Sequence, residues 1–260
     1  MTDLFSVQGK TALVTGGCRG LGRMISEALV RGGARVYVTS RKPDACEAAA
    51  REMSEFGTCL ALPGELDTPE NVMALAGRFR EREQQLDILV NNAGKTWGAP
   101  LEKFPDSAWP GVMEVNVQAP FTLIRELLPT LRAGGQADPE SPARIINIGS
   151  VAGETVSRLK AFSYTASKAA IHHLSRELAA ELVEDNITVN VIAPGFVPSH
   201  MTKHVLQDDA ATQAMLRDIP LHRLGTAEDI GGLAIFLCSR AGAYMTGQIL
   251  AIDGGLSGCR

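Results

Sequence analysis

Long apolar runs, excess positive charge and paired cysteines are all lacking in this chain of 260 residues. No stretch approaches the roughly 18 apolar residues that a membrane helix needs, and no basic flank precedes an apolar run as in a signal peptide. The 25 Lys and Arg residues are outnumbered by 29 Asp and Glu residues, and a net charge of -4 lacks the basic excess that nucleic acid or anionic lipid attracts. We expect neither a membrane nor a nucleic-acid partner.

The cysteines argue against two further classes of protein. They number five, are widely scattered and never form a CxxC pair, so the sequence indicates neither a disulfide framework nor a zinc knuckle. Adjacent His172 and His173 on a predicted helix point in different directions, which excludes a compact metal pair. We expect a reducing cytoplasm as the location, packing or surface roles for the two histidines, and no metal site.

The chain alternates short apolar runs, rich in β-branched residues, with amphipathic or alanine-rich segments. The runs predict strands at 11–15, 35–40, 59–66, 86–90, 144–148, 188–193 and 248–253. The segments predict helices at 21–31, 44–56, 70–83, 109–131, 162–184 and 227–239. Right-handed crossovers then leave a Rossmann-type, doubly wound α/β fold, with a seven-stranded parallel sheet and helices on both faces.

No break in composition divides this pattern, so residues 1–260 predict a single domain. Two segments stand out within it. Residues 134–142 are polar and rich in Gly and Pro, which predicts an exposed loop before the fifth strand. Residues 195–225 lie between a strand and a helix, where a flap over a substrate is expected.

The first predicted strand runs directly into the residues TGGCRGLG at 15–22, and a helix follows. Glycines there permit a tight turn and close backbone approach to a pyrophosphate, while the helix N-terminus attracts its charge. The alternative is an ordinary glycine-rich turn. The position of residues 15–22 at the start of the βα pattern favours a nucleotide-binding turn.

The spacing GxxxGxG of this turn resembles that of the short-chain dehydrogenase/reductase family. Four further motifs match that family in order and cover essentially the whole chain: Asn91-Asn92-Ala93-Gly94, Asn116, Tyr164 with Lys168 as YxxxK, and Pro194-Gly195. Within the family the pattern is most similar to 3-oxoacyl reductases. The resemblance implies hydride transfer with a nicotinamide dinucleotide, and a homotetramer built through the helix of Tyr164 and through the last strand with its neighbouring helix.

The resemblance also implies which residues bind the cofactor. They are Gly16, Cys18, Arg19, Gly20, Leu21, Gly22, Arg41, Glu65, Leu66, Asn92, Ala93, Gly94, Tyr164, Lys168, Pro194, Gly195, Val197 and Ser199. Two of them depart from the family pattern. Cys18 replaces a frequent serine or threonine, and Glu65 replaces the aspartate that receives the adenine amino group.

The end of the second strand favours NADP over NAD. An acidic residue there would bind the ribose 2′-hydroxyl and repel a 2′-phosphate, but the residues present are Thr39-Ser40-Arg41-Lys42. Arg41 can pair with the phosphate, and Arg19 projects toward the same place in relatives that use NADP. The alternative is that Arg41 and Lys42 are solvated charges at the start of a helix, although the helix dipole disfavours cations there.

Tyr164 and Lys168 are four residues apart in a helical pattern, so their side chains lie on one face. We expect the Lys168 ammonium to lower the pKa of Tyr164 from about 10, which would make Tyr164 the proton donor to the ketone. Ser150 follows the fifth strand and can hydrogen-bond the substrate oxygen. For Asn116 the resemblance implies a water linking Lys168 to solvent.

The predicted substrate is a 3-oxoacyl thioester, carried by acyl carrier protein or coenzyme A. The loops expected around the site supply Trp97, Phe104, Leu159, Phe162, Phe196, Val197 and Met201, an apolar set that suits an acyl ketone, although local packing explains it equally. Basic Lys203, His204, His222 and Arg223 suit an anionic carrier or a solvated surface. The alternatives are a polyol, sugar-acid (gluconate-type) or general carbonyl dehydrogenase, and a protein that binds NADP without turnover.

Overall fold

The structure, a computed structural model, describes residues 4–156, 159–198 and 209–259, with only the backbone at 209–211. The strands are β1 (Thr11–Val14), β2 (Arg35–Val38), β3 (Cys59–Ala61), β4 (Ile88–Asn91), β5 (Ala143–Ile148), β6 (Ile187–Pro194) and β7 (Ile249–Ile252). The helices are α1 (Gly20–Arg31), α2 (Pro43–Met53), α3 (Pro69–Arg80), α4 (Pro110–Met113), α5 (Ala119–Ala137), α6 (Phe162–Leu182), α7 (Asp209–Asp218) and α8 (Ala227–Cys238). In this part of the chain no helix is both long and apolar enough to cross a bilayer.

The seven strands form one sheet in the order β3-β2-β1-β4-β5-β6-β7, and every neighbouring pair is parallel. The predicted doubly wound, seven-stranded fold is confirmed. The order reverses between β1 and β4, because the chain winds outward from β1 in both directions. Ligands of open α/β sheets bind at the carboxyl ends of the strands beside such a reversal, and the glycine turn lies there.

Each face of the sheet buries its own apolar layer. In β1, Ala12 and Val14 pack into the layer that holds α1, α2 and α8, whereas Leu13 packs into the opposite layer with α3, α5 and α6. Successive side chains of a strand point to opposite faces, so a strand covered on both sides is apolar at every position. This explains the continuous apolar runs of the sequence and holds the strand ends in place.

The prediction of an exposed loop at 134–142 is wrong in its first half. Helix α5 continues to Ala137, and Gly134 and Gly135 are buried. A Cβ on Gly134 would lie 2.3 Å from the Leu86 carbonyl oxygen, so glycine allows the helix to approach the neighbouring backbone. Asn186 then donates from Nδ2 to the Gly135 carbonyl oxygen over 2.7 Å. The glycines mark close packing and not a turn.

Other predicted boundaries also change. β3 ends at Ala61 and not at residue 66, and the predicted helix over 109–131 consists of α4, a π-helical turn at Glu114–Gln118, and α5. Such π turns occur frequently at functional sites, and this one carries Asn116. The predicted flap at 195–225 is described only at 195–198 and 209–225, where it contains α7.

Candidate active site

The glycine turn between β1 and α1 is shaped for close approach of a ligand. Gly16 and Gly20 have φ of 63° and 55°, which side chains rarely adopt. A Cβ on Gly22 would lie 2.3 Å from the Gly16 carbonyl oxygen. Helix α1 starts with no side-chain cap at Arg19, so its first N–H groups and positive dipole end are open to an anion.

Two residues join this turn to the end of β4. The Thr15 hydroxyl oxygen accepts the backbone N–H groups of Asn92 at 2.9 Å and Ala93 at 3.0 Å. Asn92 donates from Nδ2 to the carbonyl oxygens of Thr15 at 2.9 Å and Gly16 at 3.2 Å. The predicted binding residue Asn92 therefore shapes the cradle through its side chain, with Ala93 and exposed Gly94 beside it.

The end of β2 contains the residues expected to choose the cofactor. Arg41 is exposed, and so is Arg19 across the turn. Thr39 accepts the Gly16 N–H at its hydroxyl over 3.1 Å. Cys18 points inward: its thiol donates to the Thr39 carbonyl oxygen over 3.5 Å, and its sulfur is 3.6 Å from that of Cys46. After β3, Glu65 is exposed and Leu66 is buried.

The structure brings Ser150, Tyr164 and Lys168 together at the carboxyl edge of the sheet. Ser150 follows β5, and its side chain lies close enough to Tyr164 to lower the pKa of the phenol. Lys168 is one turn beyond Tyr164 on α6 and is buried. Its ammonium donates to the Ile148 carbonyl oxygen at the end of β5 over 2.7 Å.

The pKa of Tyr164 does not fall as predicted from its spacing to Lys168. Burial raises the pKa of Tyr164, and only the contact with Ser150 opposes it. Burial also lowers the pKa of Lys168 to about 8. The expectation that the ammonium lowers the pKa of Tyr164 is therefore wrong here, because desolvation dominates and Lys168 Nζ contacts a carbonyl oxygen of β5.

Asn116 lies in the π turn and binds the loop that follows β4. Its Oδ1 accepts the Lys95 N–H over 2.8 Å, and its Nδ2 donates to the Lys95 carbonyl oxygen over 2.9 Å and to Ser167 Oγ over 2.9 Å. Ser167 in turn donates to the carbonyl oxygen of Tyr164 over 2.7 Å. The side chain of Asn116 thus connects the post-β4 loop to the helix of Tyr164.

The end of β6 completes the crevice. Pro194 pairs with Ile252 of β7, and Gly195 is packed so closely that a Cβ there would lie 2.6 Å from Asp253 Cβ. Val197 is buried. Ser199 lies outside the described residues, as do Met201, Lys203 and His204.

Apolar side chains border the site on one side. The loops after β4 and before α6 are joined by a hydrogen bond from the Ala99 N–H to the Lys160 carbonyl oxygen, 3.1 Å long. Phe104 packs edge-on against Phe162, with ring centres 5.3 Å apart, just before Tyr164. On the same loops Trp97 and Leu159 remain half exposed, at 50% and 52%. An apolar surface therefore lies open on the loops next to Tyr164.

Several residues of the site were missed by reasoning from the sequence. Thr15 and Thr39 each follow the carboxyl end of a strand, and that position was the available signal. His172 lies one turn beyond Lys168 on the same face of α6. Arg223, expected to suit an anionic carrier or a solvated surface, forms a two-pronged ion pair with Asp229, at 2.6 and 2.9 Å.

A glycine cradle at the strand reversal, next to a serine, a tyrosine and a buried lysine, defines a dinucleotide-dependent oxidoreductase. The sequence model of a family described as enoyl-(acyl carrier protein) reductase matches residues 16–257. The chain belongs to the short-chain dehydrogenase/reductase family, as the motifs predict.

Individual relatives refine this assignment. The chain is 49% identical to the rhamnolipids biosynthesis 3-oxoacyl-[acyl-carrier-protein] reductase of Pseudomonas aeruginosa, over 98% of this chain and 99% of the relative. It is 38% identical to the 2-dehydro-3-deoxy-D-gluconate 5-dehydrogenase of Bacillus subtilis, over 97% and 96%. The P. aeruginosa RhlG/NADP active-site complex superposes with a TM-score of 0.96 and 49% identity, covering 99% and 100%. Residues 146–153 and 243–247 predict the similarity to the rhamnolipid reductase, which is confirmed.

Proposed function

We propose that this chain is an NADP-dependent reductase that converts the ketone of a 3-oxoacyl thioester to the hydroxy product. The observation that carries the proposal is the grouping of Ser150, Tyr164 and buried Lys168 on the same sheet edge as the glycine cradle. The relative from P. aeruginosa is named a 3-oxoacyl reductase, and the similar structure is named an NADP complex. Both names support the proposed substrate and cofactor.

The residues present fit NADP. Gly16, Gly20 and Gly22 leave room for a pyrophosphate at the open end of α1, and exposed Arg19 and Arg41 are positioned to pair with a 2′-phosphate. Lys168 and Tyr164 would hold the nicotinamide ribose, with Pro194, Gly195, Val197 and Ser199 near the carboxamide. The bound nicotinamide supplies the hydride of the reduction.

The chain's own residues supply the proton. Because burial raises the pKa of Tyr164, its phenol remains protonated at neutral pH and is ready to protonate the ketone oxygen. Ser150 donates a second hydrogen bond to that oxygen and stabilises its developing charge. Lys168 holds a buried positive charge next to the phenol, and we assign to Asn116 the support of a proton path to Lys168.

The exposed apolar surface at Trp97 and Leu159 supports an acyl substrate. An alkyl chain laid there would remove apolar area from water, at about 0.8 kcal/mol per buried CH₂ group. A sugar acid would instead require several convergent polar groups. The gluconate-type alternative is kept because the B. subtilis relative is named a 2-dehydro-3-deoxy-D-gluconate 5-dehydrogenase.

We extend the proposal to the surroundings of the protein. The thioester carrier is acyl carrier protein or coenzyme A, and the location is a reducing cytoplasm, in which all five free cysteines remain thiols. The homotetramer is supported by the half-exposed apolar residues of edge strand β7 and by fully exposed Tyr244. Light scattering of the purified protein measures its mass.

Oxidation of NADPH and of NADH across a panel of ketones tests the proposed function. The panel contains acetoacetyl and longer 3-oxoacyl thioesters, a simple aryl ketone and a keto sugar acid. Turnover of the thioesters with NADPH is expected. Turnover of the sugar acid alone, with NADH, would contradict both the substrate and the cofactor.

A further inference from the structure

His172 occupies a buried position directly beneath the Ser150 turn. It lies on α6, two turns beyond Tyr164 and one beyond Lys168, and its side chain is 4% exposed. Its Nε2 is 3.3 Å from the backbone nitrogen of Ser150, which donates its N–H to the ring. An imidazole thus satisfies a buried N–H group at the end of β5.

The His172 ring occupies the space that a side chain at position 149 would need. A Cβ on residue 149 would lie 2.1 Å from His172 Nε2 and 2.7 Å from its Cδ2. The Nε2–Cδ2 edge of the imidazole therefore contacts the backbone that leads into Ser150, and glycine at 149 permits that contact. Gly149 itself donates its N–H to the Ile192 carbonyl oxygen of β6 over 2.8 Å, so both sides of this peptide segment are held.

Acceptance at Nε2 requires a neutral imidazole with its proton on Nδ1. The surroundings favour that form. Burial, together with the positive charges of Lys168 and Arg176, lowers the pKa of His172 to about 4. At neutral pH the ring carries no charge and is free to act as an acceptor.

Besides the contact of Tyr164 with the Ser150 side chain, helix α6 makes three hydrogen bonds with β5 and its end in the described part of the chain. Lys168 donates to the Ile148 carbonyl oxygen over 2.7 Å, Ser175 Oγ accepts from Asn147 Nδ2 over 2.8 Å, and His172 accepts from the Ser150 N–H. Of the three, only the His172 contact reaches Ser150. The hydroxyl of Ser150 makes a further contact within its own turn, where it accepts the Ala152 N–H over 3.1 Å.

We propose that His172 is a positioning residue for ketone reduction: by accepting the Ser150 N–H it orients the Ser150 hydroxyl toward Tyr164 and the substrate oxygen. This inference rests on the proposed function, in which Ser150 and Tyr164 contact that oxygen. His172 itself touches neither substrate nor cofactor. It acts through the backbone of Ser150.

The test compares His172→Leu, which removes the acceptor, with His172→Gln, whose side-chain oxygen can accept the same N–H. His173→Leu is the matched control, since His173 is exposed and 3.6 Å from Glu177. We expect His172→Leu to lower kcat about 10- to 100-fold, with KM for the ketone and Kd for NADPH within about twofold of wild type. His172→Gln should recover most of kcat, and His173→Leu should not change it.

Two results would overturn the inference. One is a kcat for His172→Leu within about twofold of wild type. The other is a His172→Gln variant as slow as His172→Leu, which would mean that His172 has only a packing role. A wild-type protein that reduces no 3-oxoacyl thioester would contradict the proposed function instead, and is seen before any variant is made.

A second measurement does not depend on activity. Nitrogen NMR of protein labelled at the histidine imidazoles reports the tautomer of His172, whose signals are identified by their loss in His172→Gln. We expect a protonated Nδ1 and an unprotonated Nε2 at neutral pH. A protonated Nε2 would rule out the hydrogen bond from Ser150 and with it the proposal.

Discussion

Lys168 Nζ lies 5.5 Å from the centre of the Tyr164 ring and donates to the Ile148 carbonyl oxygen at 2.7 Å. Its hydrogen bond therefore goes to the strand end and not to the phenol. The lysine fixes α6 against β5, while the phenol keeps its proton until a ketone accepts it. In this arrangement Tyr164 suits the direction of reduction.

Arg41→Ala should weaken NADPH binding without affecting NADH. A charge-assisted pair with the 2′-phosphate contributes about 1.5 to 3 kcal/mol, so its loss should raise Kd for NADPH about 10- to 100-fold. Titration with both cofactors measures the change. The control is Arg51→Ala, which removes an exposed arginine of α2. Equal losses for NADPH and NADH would contradict the role of Arg41.

Cys18→Ser should strengthen NADPH binding. The thiol is a weak donor that points toward the Thr39 carbonyl oxygen and Cys46, whereas a hydroxyl offers the phosphate a full hydrogen bond. A net gain of about 1 kcal/mol corresponds to a Kd about fivefold lower. Cys259→Ser, at an exposed thiol, is the control. A weaker or unchanged affinity in Cys18→Ser would show that the Cys18 thiol does not weaken NADPH binding.

His172 should make the protein less stable in acid. Its pKa is lowered from 6.5 to about 4 in the folded chain, so between those values the unfolded chain binds a proton that the folded chain does not. The free energy of unfolding therefore falls as the pH falls through this window. Urea unfolding at pH 7 and pH 4.5 should show a smaller loss for His172→Gln than for wild type or His173→Gln. Equal losses in all three would contradict the lowered pKa.

Trp97 and Leu159 should set the preference for chain length. Replacing both by alanine should raise KM for a long 3-oxoacyl thioester about tenfold, through the loss of about 1.4 kcal/mol of apolar contact, and leave the four-carbon substrate within about twofold. Met73→Ala, at an exposed apolar residue of α3, is the control. An equal change at every chain length would place the acyl chain elsewhere.

The order of strands and helices was predictable because a sheet covered on both faces makes each strand a continuous apolar run. The errors occur where packing overrides local preference. Gly134 and Gly135 indicate a turn in the sequence, yet they lie in α5 because a neighbouring backbone approaches them. A sequence pattern does not reveal such an approach, nor the π turn at Asn116.

The placement of the proposed catalytic residues was predictable, because Ser150 follows a strand end and Tyr164 and Lys168 are one helical turn apart. Their electrostatics were not. The pKa of Tyr164 depends on how far the phenol is buried, and the spacing on α6 leaves that depth unspecified. The sequence predicts only a packing or surface role for His172. Its contact with Ser150 joins residues 22 positions apart, so no local pattern indicates it.

The most direct test of Tyr164 as the proton donor is the oxidation of NADPH by wild type and by Tyr164→Phe, with one 3-oxoacyl thioester at neutral pH. We expect rapid turnover by wild type and a loss of at least about a hundredfold in Tyr164→Phe, since a proton donor contributes about 10²- to 10⁴-fold, with the Kd for NADPH nearly unchanged. Turnover by Tyr164→Phe within a few fold of wild type would contradict Tyr164 as the proton donor. No turnover by wild type would contradict the proposed substrate.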